Sequence, residues 1–163
     1  MGNSVLISIR PKWCELIAIG KKTVEVRKTA PKLQTPFKCY IYETLDKKYE
    51  NIGVYDPNAP LYKNFVHYPG KVIGEFICAN IRPVLAGYIH GACLTYDGIT
   101  SYLGRNGHGC GLEIRNLVIY DKPKELSEFW SWQPSVEWKD GYPMPTHLIK
   151  RAPQSFMYVE ELK

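Results

Sequence analysis

The chain has 163 residues, of which 45% are apolar and 23% charged, and this ordinary globular composition excludes a disordered segment and matches the size of one domain. No apolar run approaches the roughly 20 residues that a helix needs to span a bilayer, which excludes a helical membrane protein. The formal net charge is +5 and is unevenly placed: residues 1–50 hold ten Lys or Arg against five Asp or Glu, and the remainder holds eleven of each. An excess gathered in the first third points to a surface that meets an anion such as a nucleic acid, a nucleotide or a phosphate, although a solubility bias would give the same count.

The opening MGNSVLISIR is too polar in front and too short in its apolar part for a secretory signal, and Leu6 stands where a myristoylation motif needs Ser or Thr. Five cysteines, an odd number with no C-x-x-C pair, argue against a disulfide framework and for a reducing, cytoplasmic setting. Cys39 and Cys78 lie in apolar strand-like runs and read as small buried hydrophobes.

Taken in order, residues 4–9 alternate as a first strand. Pro11 suits the first position of a helix over KWCELIAI, and Gly20 can stop that helix in the left-handed region. TVEVRK is a second strand and FKCYIYETL a third. Residues 46–68 are polar, aromatic and rich in turn formers, and read as a loop excursion outside the core. GKVIGEFICANIRPV is the longest strand signal, with Gly74 a bulge or bend. Residues 95–103 suit a helix capped by Thr95 and closed by Gly104. RNGHGCG is a glycine-rich turn, LEIRNLVIYD a fifth strand, KPKELSEFW a turn into a short helix, and SFMYVEEL a closing strand. Residues 130–148 read as a second, Trp- and Pro-rich loop excursion. No repeat or linker divides the chain, so 1–163 is expected to be one α+β domain: a small mixed β-barrel of about five to six strands with flanking short helices.

The densest chemistry lies in GKKTVEVRK, Gly20 to Lys28. With a strand period of two, Thr23, Glu25 and Arg27 share one face, and Val24 and Val26 are expected to point into the barrel from the other. Arg27 offers a flat fork of donors that matches phosphate oxygens, and Glu25 can accept from an exocyclic amine or a ribose hydroxyl. Lys22, just after the turn, is expected to reach over the rim. Arg10 and Lys12, at the start of the first helix, extend the same cationic rim, with Arg105, His108 and Arg115 as further candidates. The plainer account is a Glu25–Arg27 pair that stabilises an exposed edge by roughly 0–1 kcal/mol.

The motif resembles the G-x-K-x-x-E-x-R signature of the ASCH domain in the PUA-like superfamily, with Gly20, Lys22, Glu25 and Arg27 at its four positions. The strand, helix and glycine stop before it match too. LTYDGITSYLG, IYDKPKEL and RAPQSFMYVEEL resemble a subset of the family common in phages and prophages. The resemblance spans nearly the whole chain. It implies a small barrel with a cleft beside the motif and a module that binds RNA or a nucleotide through Arg10, Lys12, Lys22, Glu25 and Arg27. Some relatives are enzymes, which implies as an alternative a hydrolase, either an N4-acetylcytidine-type amidohydrolase or a ribonuclease, with Lys22 and Glu25 catalytic. Glu25 occupies the position where the amidohydrolase group has threonine, a departure from that pattern; Thr23 is out of register to replace it. The distant carboxylate of that group has Glu75 and Glu113 as candidates.

Other residues have plainer roles beside their functional ones. His90, Cys93, His108 and Cys110 have N and S donors, but the second pair is too tightly spaced for a zinc loop, so no metal and no cofactor are expected. Cys14 sits in a first helical turn, where a thiolate is favoured, yet no His lies in a partner position. Tyr96 and Tyr102 are expected to pack the helix on the barrel. Trp130, Trp132, Trp138 and Tyr142 fit a lid over the barrel end, a stacking surface for bases, or the contact of a protein-interaction module in a phage-derived system.

Overall fold

A computed structural model describes residues 4–47, 53–54, 65–84, 90–104 and 107–162. The strands are β1 (Ser4–Ile9), β2 (Val24–Arg27), β3 (Phe37–Glu43), β4 (Gly53–Val54), β5 (Phe65–Val66), β6 (Val72–Val84), β7 (Gly109–Lys124), β8 (Trp130–Lys139), β9 (Tyr142–Leu148) and β10 (Phe156–Val159). Two helices, α1 (Pro11–Ala18) and α2 (Tyr96–Leu103), complete an α+β domain of the expected class. Eight strands form one sheet in the order β2-β7-β6-β3-β1-β10-β8-β9, and β4 pairs with β5. The sheet has more strands than the sequence suggested, and it is open, with β2 and β9 at its two ends.

β1 is central, parallel to β3 on one side and antiparallel to β10 on the other. All six of its residues are buried, because both faces of the sheet are covered here. Val5, Ile7 and Ile9 join Phe37, Cys39 and Ile41 of β3 in the main core beneath α1. Leu6 joins Tyr40 and Tyr42 in a second core with Phe129, Ile149 and Val159. Alternate residues thus feed different cores, which is why a pattern with period two does not mark a solvated face in this part of the sheet. Cys39 and Cys78 are buried as expected.

Local signals set the first helix. Pro11 occupies the first turn, and Gly20, at φ 77°, takes the left-handed conformation that ends it. The Thr95 hydroxyl accepts from the Gly98 N–H at the start of α2, and Gly104 closes it at φ 87°. Gly74 lies between two register shifts of β6 against β7, and a Cβ there would strike the Val118 carbonyl, so the bend predicted at this glycine is a close backbone approach.

Four expectations are corrected. The helix expected near 124–130 is a three-residue 3-10 turn, Leu126–Glu128. Residues 130–148 are not a loop but the hairpin β8–β9. Much of the 46–68 excursion lies outside the described residues, but its return is core: Phe65 joins the main cluster, and the buried His67 ring meets the buried Glu43 carboxylate at 2.5 Å. Tyr96 is largely exposed, not packed against the sheet. No helix among the described residues is long and apolar enough to cross a membrane.

Candidate functional site

The motif strand β2 is short and held on both sides. On one side it pairs antiparallel with β7, Glu25 facing Leu112 and Arg27 facing Cys110. On the other, the Thr23 and Val24 N–H groups both donate to the Gly91 carbonyl. Gly91 has φ 86°, and a Cβ there would collide with the Thr23 hydroxyl, so glycine is required at this crossing.

The facing of β2 is the reverse of the expected one. Val26 leaves the main core and packs in a satellite cluster with Val84, Ala92 and Ile99 of α2. Glu25 and Arg27 turn the other way, toward the end of β1, and are themselves buried, each 6% exposed. Lys22 does not reach over a rim; it is 2% exposed. It precedes the strand, so the period-two argument does not apply to it, and its ammonium meets the carboxylate of Glu25.

The three charges form one network. Lys22 Nζ donates to the Ala92 carbonyl at 2.7 Å and lies 3.4 Å from Glu25 Oε2. Arg27 Nη2 lies 3.0 Å from Glu25 Oε1 and donates to the Ser8 carbonyl at 2.6 Å. Arg27 Nη1 reaches the Ser155 hydroxyl at 3.5 Å, while its Nε–H is buried without a partner among the described residues. Two cations and one carboxylate leave a formal excess of one positive charge in a region of low dielectric. Fixed charges there act on a neighbouring anion more strongly than exposed ones do.

These residues line a cleft of about 680 Å³. One side is the end of β1 and the start of α1, with Ser8, Arg10 and Trp13; the other is α2, with Gly98, Ser101 and Tyr102. Lys22 Nζ lies 5.1 Å from the Trp13 ring centre, so the indole is part of the lysine's setting. Burial pushes the Tyr102 hydroxyl up from its ordinary value. Positions 98, 101 and 102 fall on one helical face, and their i, i+3 and i+4 spacing is the sequence signal for this wall of the cleft.

Of the residues singled out earlier, Arg10, Lys22, Glu25 and Arg27 come together at the cleft. Lys12 does not line it; its ammonium sits 4.9 Å from the Trp13 ring centre, and the side chain is exposed. Arg115 turns to Glu113, which Arg82 also binds. His108 is exposed and away from the cleft wall, and Arg105 is outside the described residues. Neither candidate for a distant carboxylate lines the cleft: Glu75 accepts from Tyr120 and pairs with Lys38, and Glu113 is held by its two arginines. Cys14 is fully buried, and burial first, then the Glu43 carboxylate, push its thiol well up, the opposite of a nucleophile's shift. No group of three or more metal-ligating side chains occurs among the described residues.

Solved structures similar to this chain include ASCH proteins from Zymomonas mobilis. One has a TM-score of 0.58 and 17% identity over 99% of this chain and 90% of that one. A variant with serine replaced by alanine gives 0.62 and 18% over 98% and 90%. A variant with tyrosine replaced by phenylalanine gives 0.55 and 20% over 76% of each chain. No protein-family model matches the chain. No curated protein matches it either. At these identities the likeness establishes the fold, that of an ASCH domain.

Proposed function

We propose that this ASCH-type domain binds RNA, taking one unpaired nucleotide into the cleft beside Lys22, Glu25 and Arg27. The observation that carries the reading is the burial of all three side chains in one network on the cleft wall, because an ornamental edge pair would lie in solvent. An excess positive charge favours a phosphate, Arg10 stands exposed at the entrance, and Trp13 and Tyr102 supply ring surface for a base. A cleft of about 680 Å³ has room for one nucleotide. The three segments resembling phage and prophage relatives are what supports assigning the chain to that subset of the family.

Titration of labelled single-stranded RNA and of the matching duplex at two salt concentrations tests the reading. The single strand binds more tightly, and its affinity falls with salt. Binding indifferent to salt, or a preference for duplex, defeats it.

A hydrolase acting on a modified nucleoside, or a ribonuclease, is the second reading. The observation favouring it is the 3.4 Å approach of Lys22 Nζ to Glu25, an acid–base pair on the cleft wall. Arg27 occupies the other oxygen of Glu25 at 3.0 Å, so only one carboxylate oxygen faces Lys22. Product formation from N4-acetylcytidine or from a structured RNA decides between binding alone and turnover.

A further inference from the structure

The α2 wall of the cleft carries a cation just outside the lining. β2 alternates, so Lys28, next after its last residue, falls on the side of Val26 and not on that of Arg27. The contacts agree. Val26 shares a buried cluster with Ile99 of α2, and Lys28 Nζ lies 5.4 Å from the ring centre of Tyr102, one turn further along the same helix. Two rungs therefore join strand to helix, one apolar and one cation–π. Val26 and Ile99 are buried, whereas Lys28 is exposed and Tyr102 is 40% exposed, so the outer rung lies at the edge of the cleft.

Tyr102 also lines the cleft. Burial is the main influence on its hydroxyl; Arg27 and Glu25 of the network act on it next, and Arg10 of the opposite wall acts on it too. One end of the side chain thus lies among the charges of the cleft, while its ring holds Lys28 at the rim.

Arg10 and Lys28 stand on the two sides of the opening. Arg10 is exposed on the α1 wall, and Lys28 is held at the α2 wall by Tyr102. Lys28 does not line the cleft, so its ammonium is placed for an anion that passes outside and not for a base within. A free mononucleotide carries its phosphate on one side of the ribose, where Arg10 and the excess charge of the buried network serve it. A nucleotide inside a strand carries a phosphate on each side of its ribose, and both remain at the rim when the base enters. The second, separate cation matches the second phosphate.

We propose that Arg10 and Lys28 hold the two phosphates that flank an inserted nucleotide, with Tyr102 as the positioning residue that keeps Lys28 at the rim. The ligand class is then an internal nucleotide of a single strand, in preference to a free nucleotide or a strand end. The clamp rests on the RNA reading of the cleft and adds to it a residue, Lys28, and a length requirement.

Binding to the full chain of oligouridylates and oligoadenylates of two, three and six residues with hydroxyl ends, and of the nucleoside 5′-monophosphates, tests it at two salt concentrations. The trinucleotide is the shortest of these with a phosphate on both sides of one residue. It binds roughly fivefold or more tightly than the dinucleotide and the monophosphates, and six residues add little further. Lys28→Ala brings the trinucleotide down to the level of the dinucleotide, lowers its salt slope by about 1, and leaves the monophosphates and the thermal midpoint unchanged. Lys28→Arg keeps the gain, and Lys12→Ala leaves every ligand unaffected. In a Tyr102→Ala background Lys28→Ala has little left to remove, because the two act as one unit. A trinucleotide that binds no better than the dinucleotide, or a gain that survives Lys28→Ala, overturns the clamp while the RNA reading stands. Failure of every single strand to bind overturns the RNA reading and the clamp with it.

Discussion

Arg27 Nη2 lies 3.0 Å from Glu25 Oε1 while both side chains are buried, so this ion pair is part of the interior and not of the surface. Glu25 also neutralises Lys22, at 3.4 Å. Glu25→Gln leaves two buried cations without their carboxylate, a loss of about 3–5 kcal/mol. Urea unfolding measures it as a lower midpoint at unchanged slope. A change below about 0.5 kcal/mol would mean that the pair behaves as an exposed one.

Arg10 and Lys12 are two residues apart and both exposed, but only Arg10 lines the cleft. Arg10→Ala therefore weakens RNA binding several-fold and reduces the slope of log affinity against log salt by about 1. Lys12→Ala leaves both nearly unchanged, and neither substitution moves the thermal midpoint. Equal losses from the two would point to a diffuse cationic surface in place of the cleft.

The C-terminal segment is tied to the sheet by a network that titrates in alkali. Lys38 lies 2.9 Å from Glu161 and 3.2 Å from Glu75, and Tyr120 donates to Glu75. The Glu161 hydrogen bond is the main cause that pushes the Lys38 ammonium up to about 12. Burial, then the Glu75 hydrogen bond, push Tyr120 up as well. Both groups hold their protons more tightly in the folded chain than in the unfolded one. Their stabilisation is fully present below the unfolded values near 10 and is lost as pH rises above them. Unfolding free energy measured from pH 8 to 11.5 falls at the alkaline end, and Glu75→Gln makes that fall shallower while lowering stability at pH 7 by about 1–2 kcal/mol.

Of the five cysteines, Cys14, Cys39, Cys78 and Cys110 are buried and Cys93 is exposed. Burial raises all four buried thiols, Cys78 to about 11. A thiol reagent at pH 8 titrates one thiol in the native protein and five after denaturation. Rapid reaction of a second native thiol would show that the core beneath α1 opens.

Much of the fold was legible where the signal is local. Alternation marked β1, Pro11 and Gly20 bounded α1, and Thr95 and Gly104 bounded α2, because capping and helix termination are set within a few residues. The hairpin was missed for a physical reason: Pro134, Pro143 and Pro145 argue against strands, and only the register shows that two of them sit where no inward N–H is needed. Asp140–Gly141 was the signal that could have found it. Phe65 and His67 were assigned to a loop because two apolar or aromatic positions in a polar stretch carry no period, yet Glu43, far away in the chain, brings His67 inside.

The sequence by itself determined which charged residues share one short strand, where the cationic excess lies, and how α1 and α2 begin and end. Only the tertiary structure decided that Lys22, Glu25 and Arg27 are buried and that Val26 faces the other way. Strand periodicity sorts side chains into two faces but does not say which face is covered. That depends on Ser8, Ala92 and Ser155 arriving from 19, 70 and 128 residues away to meet these side chains.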